Sequence, residues 1–221
     1  KGHLKVSGLL GGHSGIEINK ERANANVLLG RTLNLISDTY DILLIDANGG
    51  SKDNAITKLS EANILFQGAT KQQIDEAKAA IAEFSKTVAH EFKVTDPDIK
   101  IELEVEDASS VKVKTFDEDS TKRVITYLVL TPYGVQHMSK EIHGLVETSL
   151  NIGVLKTEEN KVSTIYAVRS SSDSRRDMMV EKLRVLTKYL GGKTELSGAY
   201  PGWEYMADSK LREQAIEVFE R

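Results

Sequence analysis

The first hundred residues alternate between two hydrophobic periods. "HLKVSGLL" carries the apolar content of a strand, and "ERANANVLLGRTLNLIS" repeats apolar residues at helical spacing after the polar "INK". In "YDILLIDANGGSKDNAITKLSEANILFQ" two apolar segments flank "ANGGSKDNA", whose Gly, Asn and Asp are turn formers, so it reads as a hairpin with a long loop. "TKQQIDEAKAAIAEFSKTVAHEF" is the clearest helix, and "DIKIELEVED" alternates as a strand after the break at Pro97. The order is βαββαβ, which predicts a four-stranded antiparallel sheet with both helices on one face, the ferredoxin-like arrangement.

A second pass follows the first. "SVKVKTF" reads as a short strand, "DEDSTKRVITYLVLTPYGV" as a helix ending before Pro132, and "TSLNIGVLKTEENKVSTIYAVRSS" as a hairpin turning at "TEENK". "SRRDMMVEKLRVLTKYLGG" is a helix closed by a glycine pair, and "KTELSGAY" a final strand. The expectation is an α+β chain of two tandem ferredoxin-like lobes, residues 1–107 and 108–199. Beyond them "PGWEYMADSKLREQAIEVFER" starts with a Pro-Gly break and ends in an amphipathic helix with no strand to follow. Residues 200–221 therefore read as the first element of a further domain, cut short at Arg221.

Composition narrows the function classes. The 29 Lys and Arg are mixed with 33 Asp and Glu, giving a net charge of -4 without the basic stripe that phosphate binding requires, so nucleic acid is not an expected partner. There is no cysteine, which excludes disulfides and thiolate metal ligands and fits a cytoplasmic setting. No apolar run approaches the roughly 20 residues that span a bilayer, and the N-terminus lacks the pattern of a signal peptide.

Candidate chemistry is sparse. The five histidines, His3, His13, His90, His137 and His143, show no metal-ligand spacing, so no metal site is expected within the chain. Glu158 and Glu159 sit at a hairpin tip and read as solvated charge. "ANGGSKDNA" lacks the spacing of a phosphate loop and joins strand to strand. His13 stands out because glycines at 11, 12 and 15 free the backbone to present it at the end of a strand. A purely structural turn is the competing reading. Arg169, in "YAVRSSSDS", could fork onto a carboxylate or simply be a solvated strand-end arginine. Asn54, in "KDNAI", could donate to a carbonyl or carboxylate oxygen or serve only as a turn former.

Taken together, "GLLGGHSGIEINKERANANVLLGR", "NGGSKDNAI", "TPYGVQHMSKEIHGLVETSLNIGVLKTEENKV", "VRSSSDS" and "YPGWEYMADS" resemble, in order and over the whole chain, the aminoacyl-histidine dipeptidases. These are also called cytosolic nonspecific or carnosine-cleaving dipeptidases, and they belong to the zinc metallopeptidase clan of aminoacylases and carboxypeptidases. The resemblance is to the lid domain, plus the first helix of the returning catalytic domain. It implies that His13 stabilises the oxyanion at the substrate carbonyl, and that Asn54 and Arg169 hold the dipeptide's terminal carboxylate. It implies two zinc ions in the catalytic domain of the parent enzyme and none held by this stretch, which alone should be inactive. The partners implied are a dipeptide substrate and the chain's own catalytic domain. Two lobes in one chain could imitate the pairing that one-lobed relatives reach as dimers, so monomer and homodimer both stay open. One departure is "NAITKLSEA", where relatives usually carry a proline after the isoleucine. The alternative, a free-standing ferredoxin-like module that binds ligands or oligomerises, is distinguished by whether flanking sequence supplies the metal ligands.

Overall fold

The computed structural model describes residues 1–107, 112–202, 206 and 208–220. The first half is built as its pattern predicts: β1 (Gly2–Ser7), α1 (Ala25–Ser37), β3 (Ile42–Gly49), β5 (Ser60–Phe66), α2 (Lys71–Glu91) and β6 (Lys100–Val105). Two-residue strands β2 (Gly12–His13) and β4 (Ala55–Ile56) lie in the long connections on either side of α1 and β3. The second half adds α3 (Glu118–Leu130), β7 (Gly134–Met138), β8 (Val146–Glu158), β9 (Lys161–Ser170), α4 (Asp173–Tyr189) and, after the Pro-Gly break, α5 (Lys210–Phe219).

The chain is α+β, with one mostly antiparallel sheet. The spatial order β6-β1-β5-β3 is ferredoxin-like, and the sheet continues through β8, which pairs with β7 and β9. The two halves thus share a sheet rather than forming two. Two expected edge strands are absent. Residues 112–116 of "SVKVKTF" form no strand, while its first two residues lie outside the described ones. Residues 193–200 form none either: Leu196 is 65% exposed, so burial supplies nothing to hold "KTELSGAY" against an edge. Trp203 lies outside the described residues.

The join between the halves is made mostly by side chains. β3 and β8 share one ladder pair, Gly49 with Leu155. Beyond it, Thr157 Oγ1 accepts from Ala47 N at 2.8 Å and donates to Ala47 O at 3.0 Å. Farther along β3, Thr121 Oγ1 accepts from Leu44 N at 3.0 Å, and Phe116 N donates to Leu44 O at 2.7 Å. Backbone groups that a neighbouring strand would satisfy are thereby satisfied by threonines and a single loop amide.

The core lies between the sheet and α1, with Leu4, Val6, Leu44 and Ile64 of the strands against Leu29 and Leu33 of α1, all fully buried. Each such side chain contributes roughly 1.5–3 kcal/mol relative to exposure. α3 packs onto α1 at Gly30, where a Cβ would lie 2.7 Å from Leu128 Cβ, so the glycine sets the close approach of the two helices. α2 is held to α1 by a bidentate pair, Arg31 to Glu91 at 3.0 and 2.9 Å.

Candidate substrate site at the glycine-histidine turn

The turn after β1 is shaped by its glycines. Gly11 and Gly12 have φ of 65° and 144°. A Cβ on Gly12 would stand 2.6 Å from Glu17 Oε2 and 2.8 Å from Arg22 Nη1. Those two side chains lock the turn from behind. Glu17 Oε2 accepts from His13 N at 2.9 Å, and Glu17 Oε1 pairs with Lys20 Nζ at 2.7 Å and Arg22 Nη1 at 3.2 Å. Arg22 also donates to Gly11 O.

The contact with Lys20, followed by the His13 amide, holds the Glu17 carboxyl down at about 2. A folded-state value below the unfolded one means that this stabilisation is present above pH 4.5 and is lost as the pH falls toward 2. Accordingly, Glu17→Gln lowers the chemical-denaturation midpoint at pH 7, and the gap to the unsubstituted protein closes as titration proceeds from pH 4.5 to pH 2.

On the other side, the histidine ring is fixed by its own chain. Gly15 N donates to His13 Nδ1 at 3.0 Å. In the neutral ring that bond makes Nδ1 the acceptor and places the proton on Nε2. Nε2–H has no hydrogen-bond partner among the described residues. Gly15 also lies close to Arg169: a Cβ there would lie 3.0 Å from His13 Cε1 and 3.1 Å from Arg169 Cζ, so imidazole and guanidinium pack tightly over this glycine.

Arg169 is half-buried on β9, opposite Ser149 of β8. Its Nε is buried and unbonded, and the side chain makes no ion pair with the described residues. A guanidinium withdrawn from water without a counter-charge is costly, and a site for an anion accounts for it. Asn54 reaches the same place through β2 and β4, whose pairing sets His13 opposite Ala55, and Ser14 N donates to Asn54 O at 2.9 Å. The Asn54 side-chain amide has no hydrogen-bond partner among the described residues. The structure therefore brings His13, Asn54 and Arg169 to one locality from three separate segments of the chain.

Sequence reasoning missed what holds them there. Asn24 caps α1, accepting from Asn26 N at 2.9 Å, and its amide donates to Asn151 Oδ1 at 3.1 Å and Ile152 O at 3.0 Å. Thr57, in the loop after β4, is 2% exposed. Its hydroxyl lies 3.2 and 3.1 Å from the carbonyls of Ile152 and Gly153, and Asn26 Nδ2 donates to Thr57 Oγ1 at 3.2 Å. Thr57 thus ties the long loop to β8 by bonds a proline could not make. Asp96, fully buried, accepts from Leu10 N at 2.8 Å and Ala23 N at 2.9 Å, fixing both ends of the turn segment. Tyr133 OH donates to Arg22 O at 2.9 Å, and burial, reinforced by Asp96, keeps this phenol protonated far above its ordinary range.

Among the described residues, no group of three or more His, Asp or Glu is placed to hold a metal ion, and no helix is long and apolar enough to cross a membrane. The site offers donors: an imidazole N–H, a carboxamide and a guanidinium. Such a set suits an anionic group and the stabilisation of oxygen charge.

Residues 4–93 match the model of the peptidase dimerisation domain. The relatives that match throughout are more specific. The chain is 35% identical over 220 residues to the cytosol non-specific dipeptidase of Escherichia coli (strain K12). It is 34% identical to an aminoacylhistidine dipeptidase from Vibrio alginolyticus, whose crystal structure it matches with a TM-score of 0.88. In each comparison 99% of this chain is covered and 44% of the relative. The chain therefore aligns from end to end with a stretch of these dipeptidases that is less than half their length.

Proposed function

We propose that this chain is the lid of a zinc-dependent dipeptidase of the aminoacyl-histidine type, acting in the cytoplasm on Xaa-His and other dipeptides. His13 Nε2–H supports the developing oxyanion when the peptide carbonyl is attacked, and Asn54 and Arg169 hold the free C-terminal carboxylate. The observation that carries this reading is the convergence of three polar groups without partners among the described residues, one of them a half-buried guanidinium with an unbonded Nε. Donors placed where charge develops, in a site that closes against water, are worth several kcal/mol of transition-state stabilisation.

In this reading residues 1–107 and 108–199 form the two lobes of the lid, and 200–221 begin the returning catalytic domain. α5 fits that role, because Leu211, Val218 and Phe219 are 68%, 73% and 92% exposed and await a partner surface. The family's dimerisation role makes a homodimer the expected assembly. In this reading the two zinc ions belong to a site in the catalytic domain. The stretch 1–221 alone is accordingly inactive.

The test is hydrolysis of β-alanyl-histidine and ordinary dipeptides by the enzyme containing this lid, compared with C-terminally amidated analogues. Amidation raises KM in the unsubstituted enzyme, and Arg169→Lys, which loses the planar fork, raises KM for the free dipeptide about tenfold or more, or at least 1.4 kcal/mol. In Arg169→Ala the free and amidated substrates become nearly equivalent. An enzyme inactive on all of them would make the chain a ligand-binding or oligomerisation module instead.

A further inference from the structure

Asn151 sits in the middle of β8 and is 1% exposed. Its amide nitrogen donates to Asp53 O at 2.8 Å and Ala55 O at 2.9 Å, the carbonyls immediately before and after Asn54. Its oxygen accepts from Asn24 Nδ2 at 3.1 Å. Three of its four hydrogen-bonding valences are thus used, two of them to clamp the residue pair that brackets Asn54.

The same strand sets Arg169. In the β8–β9 ladder Ser149 is opposite Arg169 and Asn151 opposite Ala167, with no register shift between them. Positions two apart on one strand, and positions directly opposite across a pair, share a face. Asn151 therefore projects from the same face of the ribbon as Arg169, two ladder positions away, while its amide grips the loop carrying Asn54. We infer that Asn151 is a positioning residue that fixes the separation of Asn54 from Arg169 and so sets the width of the seat for a dipeptide's carboxylate.

This rests on the carboxylate-binding role proposed for Asn54 and Arg169. Asn151 itself touches no substrate. Its influence passes through the two carbonyls it holds, and the distinctive variant is Asn151→Asp. It is isosteric, but an ionised carboxylate cannot donate to either carbonyl and is repelled by both. A protonated one restores a single donor.

The experiment measures kcat and KM of the intact enzyme for a free dipeptide and its C-terminal amide, across pH 5 to 8, with Asn151→Asp and Asn151→Ala. Amide exchange of Ser14, whose proton is held by Asn54 O, is measured alongside. The expected result is a rise in KM of about tenfold or more for the free dipeptide, with kcat changed less than threefold and faster Ser14 exchange. In Asn151→Asp, KM recovers toward the acid end, a recovery that Asn151→Ala does not show. Equal losses of kcat and KM for free and amidated substrates, or an unchanged KM with Ser14 exchange unaltered, would overturn the inference. If Arg169→Lys also leaves KM unchanged, the carboxylate seat itself is refuted; if Arg169→Lys raises KM and the Asn151 variants do not, only the role of Asn151 is.

Discussion

Replacing His13 with alanine is expected to lower kcat of the proposed dipeptidase, taken intact, by about 10²- to 10³-fold, the usual consequence of deleting one oxyanion donor. The fold should barely register the change. The turn's hold on Glu17 runs through the backbone amide of His13, which alanine retains, and the Gly15 amide released from Nδ1 is solvent-exposed and can bond water. Because the lost interaction forms only as charge develops, kcat and kcat/KM should fall together. His13→Gln retains an N–H donor on a side chain of different reach and should recover part of the rate. A variant whose unfolding midpoint falls in step with its rate would show that the histidine serves the turn alone, and so would an unchanged kcat.

Why that histidine could be singled out from sequence, while its supports could not, follows from what sequence polarity reports. Three glycines within five residues around a polar side chain demand a backbone that most residues cannot adopt, and the positive φ of Gly11 and Gly12 meets the demand. The first half's elements were legible for a similar reason: the alternation of β6 and the long amphipathic period of α2 describe one buried face each. The buried polar network was not. Asn24, Asn26, Thr57 and Asn151 carry no signal of burial in the sequence, because polarity ordinarily implies exposure, yet each is at most 2% exposed and bonded to other parts of the chain. Only the fold brings those partners together.

β7 was missed because "GVQHM" neither alternates nor carries a continuous apolar run, and its pairing with β8 contains two register shifts. The expected first strand of the second half failed for a different reason. At the edge of β3 its place is taken by threonine hydroxyls and the Phe116 amide, which satisfy the backbone without a ladder.

The close approach of the Asn54 loop to β8 is a property of two glycines, and its disruption should be among the largest stability effects in the molecule. Gly50 has φ of 72°, and a Cβ there would fall 2.0 Å from Gly153 O and 2.7 Å from Thr57 Oγ1. Gly50→Ala therefore combines a left-handed backbone penalty of about 1–2 kcal/mol with an overpacking cost of about 1–3 kcal/mol. The obstructing atom is a backbone oxygen, so the loop and not a side chain must yield. Gly68→Ala isolates the second contribution: its φ is 65°, almost the same, and nothing lies within 4 Å of the added Cβ. Urea unfolding should show Gly50→Ala destabilised by about 1–3 kcal/mol more than Gly68→Ala, the overpacking cost alone. Since the displaced loop carries Asp53 and Ala55 away from Asn151, the Gly50 variant should also raise KM for a free dipeptide, whereas the Gly68 variant should not. Equal losses in the two variants would mean that the loop relaxes freely over β8, and that its position there is not what orients Asn54.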